Sequence, residues 1–204
     1  MRFRLSLSAI LLLMLAPAPL GAAEPFGIAD ITLGMSRAEL EQLVRPAMPA
    51  GEKVEFICDD DHRRPGSAGL GVLDLPEDVL QAGGRRCSWF YFYKGDWVDF
   101  GIRLLGEPAE LWLLLLAEGD DPAQARLTQI HMWTEEKHFP RLLDAFRRAH
   151  GPPSQNGDLG ALWDNGVSHQ ILVQDPETKG TQIFLIDPAR HETLQARIRA
   201  GQGR

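Results

Sequence analysis

The chain has 204 residues, 44% hydrophobic and 24% charged, with 28 acidic against 21 basic side chains and a formal net charge of −7. Those proportions are ordinary for a globular protein and exclude general disorder. The acidic balance repels phosphate backbones and anionic lipid, which argues against nucleic-acid binding.

The N-terminus reads "MRFRLSLSAILLLMLAPAPLGAA". Two arginines, an apolar run and a Pro-broken small-residue stretch follow in the order of a secretory signal peptide, with Gly21 and Ala23 at the small positions before the cut. A spanning helix needs about 20 apolar residues, and Pro17 and Pro19 interrupt this run too early. No cysteine follows to carry a lipid anchor. The expectation is a signal peptide over 1–23, cleavage near Ala23, and a periplasmic or secreted chain with no integral membrane segment. Residues 1–23 remove two arginines and no acid, so the mature chain has 181 residues and a charge of −9. That length suffices for one core or for two small fused units.

"GIADITL" reads as a short strand turned by Gly34. Ser36 and Glu39 then have capping-box spacing, and Leu40, Leu43 and Val44 form a helical apolar stripe stopped by Pro46 and Pro49. Every residue of this motif has a structural task, and none is a nucleophile beside a base.

Cys58 and Cys87 are the only cysteines. An even count in an exported chain reads as a disulfide. Closing the 29-residue separation contributes about 3–4 kcal/mol in the chain-entropy picture. The enclosed stretch is rich in Gly, Pro and charge and needs such a tether.

Strand patterns follow. "CSWFYFYK" and "WVDFGIRLL" flank Lys94-Gly95-Asp96 as a hairpin. "ELWLLLLAE" is apolar throughout yet too short to span a membrane, which suits a central strand covered on both faces. "ARLTQIHMW" alternates Leu127, Gln129 and His131 against Thr128, Ile130 and Met132. The order then repeats: a helix in "HFPRLLDAFRRAHGPP" ended by Gly151, a two-residue turn at Asn165-Gly166, a turn in "DPETKG", a strand in "TQIFLID" and a polar C-terminal helix. The fold class is α+β, an antiparallel sheet packed by helices. It is either one domain or two tandem helix-plus-sheet units, 24–133 and 134–204.

A search for chemistry finds no catalytic residue, no metal site and no cofactor motif. Asp59–His62 is acidic, but Arg63 and Arg64 follow at once, and the spacing of a calcium loop is missing. His131, His138, His150 and His169 lack the spacing of a helical zinc pair. Ser36, Ser67, Ser88, Ser154 and Ser168 lack a nucleophile elbow, and "GSAGLG" at 66–71 opens no phosphate-binding helix. The aromatic run does stand out. Trp89, Tyr91 and Tyr93 share one parity of a strand, and Phe90 and Phe92 share the other. Either both faces are covered and the rings are core, or one is a docking surface; the expectation is that at least one of Trp89, Tyr91 and Tyr93 is substantially exposed and contributes to partner binding. Trp112, Trp133 and Trp163 lie on or beside other strands, where core packing is the plainer reading.

"FGIADITLGMSRAELEQLV" resembles the "GI-x-LGM" opening of small exported α+β proteins, namely BamE-like outer-membrane assembly lipoproteins and the β-lactamase-inhibitor-protein fold. "FPRLLDAFRRAHGPP", followed by "LWDN" and two strands, resembles the helix-to-strand succession in them. The resemblance implies a helical hairpin on an antiparallel sheet and a non-catalytic, protein-binding role with an envelope protein as partner. It covers about a quarter of the chain. There is no lipobox cysteine, the first unit has one evident helix where the family has two, and the cysteine loop has no counterpart. An envelope hydrolase with a His/Asp site formed by the fold is one alternative, and a lipid or small-molecule pocket between sheet and helices is another.

Overall fold

The structure, a computed structural model, describes residues 23–43, 45, 53–61, 73–119 and 121–202. The expectations for residues 1–22, Val44, Pro46, Pro49, His62–Arg64, Ser67 and the glycines of 66–71 fall outside the described residues.

The segment expected as one short strand is a tight hairpin of β1 (Gly27–Ile28) and β2 (Ile31–Thr32). Ala29 takes a φ of 53° to turn the chain. A Cβ at position 27 would lie 2.7 Å from the Ile31 carbonyl oxygen, so this close approach needs glycine. Helix α1 (Arg37–Gln42) starts where the capping box places it. The Glu39 N–H donates to Ser36 Oγ at 3.2 Å, and the Ser36 N–H donates to Glu39 Oε2 at 2.7 Å. Leu40 is fully buried.

Next come β3 (Val54–Cys58), α2 (Glu77–Gln81) and β4 (Gly84–Tyr93). The short helix α2 lies within the Gly-, Pro- and charge-rich stretch between the two cysteines. Pro76 and two acids in the first turn are its start signals. Cys58 and Cys87 face each other across β3 and β4 and are bonded, in the core. A buried structural bridge points to an oxidising, extracytoplasmic compartment.

The Lys94-Gly95 turn joins β4 to β5 (Asp96–Asp99), with positive φ at both residues as a primed hairpin turn requires. The second strand does not continue to Leu105 as expected. Gly101, at φ 59°, redirects the chain so that β6 (Ile102–Leu104) pairs with β7 (Glu107–Glu118). Strand β8 (Asp121–Glu135) returns beside β7. A bulge at Thr128 changes its parity: Leu114 pairs with Gln129, but Leu115 pairs with Leu127. Leu127 therefore joins Ile130 and Met132 in the core, correcting the expected alternation in which it shared a face with Gln129 and His131.

A 3-10 turn (Glu136–His138) leads into α3 (Phe139–His150), which ends at Gly151. Strands β9 (Gln155–Gly157), β10 (Gly160–Asp164), β11 (His169–Asp175) and β12 (Gly180–Ile186) precede α4 (Pro188–Gln202). The β10–β11 connection has four residues, 165–168, instead of the expected two. Asn165 Oδ1 accepts the N–H groups of Val167 and Ser168 and so stabilises the wider loop.

The fold is α+β: one large antiparallel sheet in the order β3-β4-β7-β8-β12-β11-β10-β9, with β5 beside β4 and β6 beside β7. Strands β8 and β12 pair from Gly180–Glu135 to Ile186–Gln129, so strands from 24–133 and 134–204 lie side by side. The two faces of the sheet differ. Leu111, Leu113 and Leu115 of β7, Ile130 and Met132 of β8, and Ile183 and Leu185 of β12 point to the inner face. There α1 and α3 cover them with Leu40, Phe139 and Leu142. The outer face receives α2 and α4 at one end, where Leu194 packs with Ala82 and Leu116, against Leu114.

Candidate binding face of the sheet

Beyond that end, the outer face carries a continuous apolar row. Leu162 of β10 pairs with Ile171 of β11, Ile171 with Phe184 of β12, Phe184 with His131 of β8, and His131 with Trp112 of β7. Each of the five is partly exposed, whereas their inner-face neighbours on the same strands are buried. Strict alternation puts them there, because residues at i and i+2 of a strand share one face.

The rings of the row touch. His131 stacks on Phe184 with centroids 4.4 Å apart and 16° between planes, and Trp112 tilts against His131 at 4.9 Å. Burial pushes His131 down to about 4, and the positive charge of Arg86 acts in the same direction. The neutral ring donates its Nε2 proton to Gln182 Oε1 at 3.2 Å. Gln182 in turn donates to Asp175 Oδ2 at 2.7 Å, and Thr178 also donates there. The Thr178 hydroxyl and neighbouring N–H groups hold Asp175 below the usual carboxylate range.

A second row runs beside the first: Val173, Gln182, Trp133 and Glu110 on β11, β12, β8 and β7. The Trp133 indole lies across Gly180, where a Cβ would fall 2.0 Å from Nε1. Glycine at 180 thus lets the indole cover the neighbouring strand. Glu110 is exposed, and its charge adds to burial in pushing Asp99 up to about 6, against the N–H of Gly101. The face therefore combines partly exposed rings with carboxylates along the Glu110 and Asp175 side.

The three residues that the sequence singles out are separated by the fold. Trp89 is a core residue, 3% exposed, packed against Phe56 at 4.8 Å with the Arg45 guanidinium 4.0 Å from its ring centroid. Tyr91 is partly exposed, and Tyr93, at the hairpin tip, is 41% exposed with Lys94 over its ring. Phe92, on the other parity, is 46% exposed and packs on Trp97. Trp163 is core, its indole N–H donating to the Gly151 carbonyl. The outer row of Trp112, His131 and Phe184 was the missed feature. Its available signal was the aromatic or imidazole at the same parity of three strands, read without knowing which strands are neighbours.

The other candidate groups have structural partners. Arg37 grips Asp60 through two bonds, and burial pushes Asp59 up to about 6. Ser88 donates to the Leu111 carbonyl at 2.6 Å, and Ser168 Oγ accepts the Phe26 N–H at 2.8 Å. His169 lies 3.6 Å from Asp164 on the outer face, while Ser168 beside it is buried on the inner one. His150 packs on Phe26. Among the described residues, no group of three or more His, Cys, Asp or Glu side chains is placed to hold a metal ion.

One indentation of about 670 Å³ runs between α2 and the end of α4, and two of about 490 Å³ lie along α4 beside Leu116 and Arg190 and at Asp59, Asp74 and Arg85. A further one of about 450 Å³ lies between Phe26, His150 and Trp163. None of the five row residues lines any of these four. No protein-family model matches the chain, and neither does any curated protein or solved structure.

Proposed function

We propose that the chain is an exported protein-binding module that works by association rather than catalysis, and that the open outer face of the sheet is its docking surface. One observation carries the reading: five partly exposed residues, Leu162, Ile171, Phe184, His131 and Trp112, lie in register across five adjacent strands. Contiguous apolar surface that keeps partial exposure is a candidate interaction site, and aromatic anchors dominate binding energy. The row lines none of the indentations described above, which suits a macromolecule better than a small ligand, since the latter prefers a concave pocket. The disulfide and the signal-peptide pattern support a periplasmic or secreted location, with an envelope protein as partner. Kinship with the BamE-like and β-lactamase-inhibitor-protein folds is part of the same proposal, supported by the opening motif and its observed cap.

The test is affinity capture from native envelope with the mature protein and with Trp112→Ser and Phe184→Ser. Each variant should retain its thermal transition and lose a partner that the wild type captures. Equal capture by folded variants would reject the outer face as the docking surface.

A further inference from the structure

The charges around the outer face narrow what can dock there. Glu110 closes the second row beside Trp133 and Trp112, and it is exposed. Asp175 lies at the β11–β12 turn, bonded to Gln182 in the same row. Asp164 is exposed at the β10 end. The nearby cations are fewer or engaged. Lys137 pairs with Glu135, and Arg86, whose charge reaches His131, is set against the carboxylates of Asp59 and Asp74 away from the Glu110 and Asp175 side, which leaves Lys179 at the rim.

We infer, on the basis of the docking role above, that the partner element is a basic amphipathic helix laid along the Leu162–Trp112 row. Its apolar stripe covers the row, and its Lys or Arg side chains reach Glu110 and Asp175. The five strands span about 19 Å at the usual inter-strand spacing, which matches roughly 13 helical residues. A helix there continues the helical layer that α2 and α4 begin at Leu114 and Leu116. Cations beside Trp112 and Trp133 also gain from the ring faces. A second copy of the chain is disfavoured, because two-fold pairing sets the same carboxylates against one another in a chain of charge −7. An anionic lipid surface is disfavoured for the same reason.

The experiment titrates the mature protein with a fluorescent leucine–lysine amphipathic helical peptide and with its leucine–glutamate counterpart. The lysine peptide should bind, and Glu110→Lys should weaken it by about tenfold. Asp158→Lys, an exposed change at the β9–β10 turn, should leave it unchanged. Phe184→Ser should weaken it while the protein stays folded. The basic-helix inference is overturned by any of three results: equal binding of the glutamate peptide, no binding of the lysine peptide, or equal weakening by Asp158→Lys. A dimer that dissociates on Phe184→Ser would overturn it too, in favour of self-association. Capture of the native partner separates the two claims. If capture needs Phe184 but tolerates Glu110→Lys, the docking face stands and only the basic helix fails. If capture ignores both, the docking reading itself fails.

Discussion

The imidazole of His131 lies flat on the ring of Phe184, 4.4 Å between centroids, on a sheet face whose opposite side is sealed by helices. The pair is partly exposed where its strand neighbours Ile130 and Leu185 are buried. Stacked rings held in register form a rigid, amphipathic surface at low entropic cost, the property expected of a binding platform.

His131 should give the fold a measurable acid sensitivity. Its folded value of about 4 lies below the ordinary 6.5, so the unfolded chain binds the proton first as pH falls. The stability from keeping the ring neutral is present above about 6.5 and is lost on the way down to 4. Urea midpoints at pH 7.5 and 4.5 should differ more for the wild type than for His131→Phe, by on the order of 2 kcal/mol. Equal pH dependence in the two proteins would show that the ring is not desolvated.

Asp99 carries the opposite sign. Its value of about 6 lies above the ordinary 3.8, so the fold favours the protonated form. That contribution is complete below about 3.8 and is lost as pH rises through 6. Relative to the wild type, Asp99→Asn should therefore gain stability between pH 4 and pH 8, since its amide oxygen still accepts the Gly101 N–H. Denaturation curves at the two pH values check this. A loss at pH 8 would mean the carboxylate has a partner that needs its charge.

Ser36 should be a cap and nothing else. Ser36→Ala removes the acceptor for the Glu39 N–H and should lower stability by about 0.5–2 kcal/mol. Partner capture by the folded fraction should be unchanged. Capture lost without a shift in the melting curve would give the hydroxyl a chemical role.

The cysteines should be fully bonded in protein extracted from the envelope. Alkylation without reductant, followed by mass measurement, should find no modified thiol at Cys58 or Cys87. Replacing both by serine should cost on the order of 3–4 kcal/mol.

What could be read ahead of the structure was local. The capping box at Ser36 and Glu39, the turn at Lys94-Gly95 and the stop at Gly151 each depend on residues a few positions apart, and each holds in the fold. The cysteine pair was legible because only one pairing exists. Features set by distant partners were not legible. The Thr128 bulge takes its sense from the β7 register, and without it Leu127 would fall on the face of His131. The aromatic run at 89–93 carries rings on both parities, so the strand alone does not say which face receives helices. In the fold Trp89 turns toward Phe56 in the core, while Trp112, two strands' worth of chain later, turns outward. The gap between β4 and β7 opens after Cys87, where β5 and β6 are inserted, and nothing between Tyr93 and Glu107 except Gly101 signals it.

Site-specific photo-cross-linking shows whether the outer sheet face touches a partner. A benzophenone side chain replaces Phe184 on the outer face, and in a second protein it replaces exposed Arg148 on α3. Both proteins are irradiated in native envelope. A docking role for the face requires a discrete adduct from position 184, absent from position 148 and suppressed by excess unlabelled wild-type protein. No adduct from position 184, or the same adduct from position 148, would contradict it.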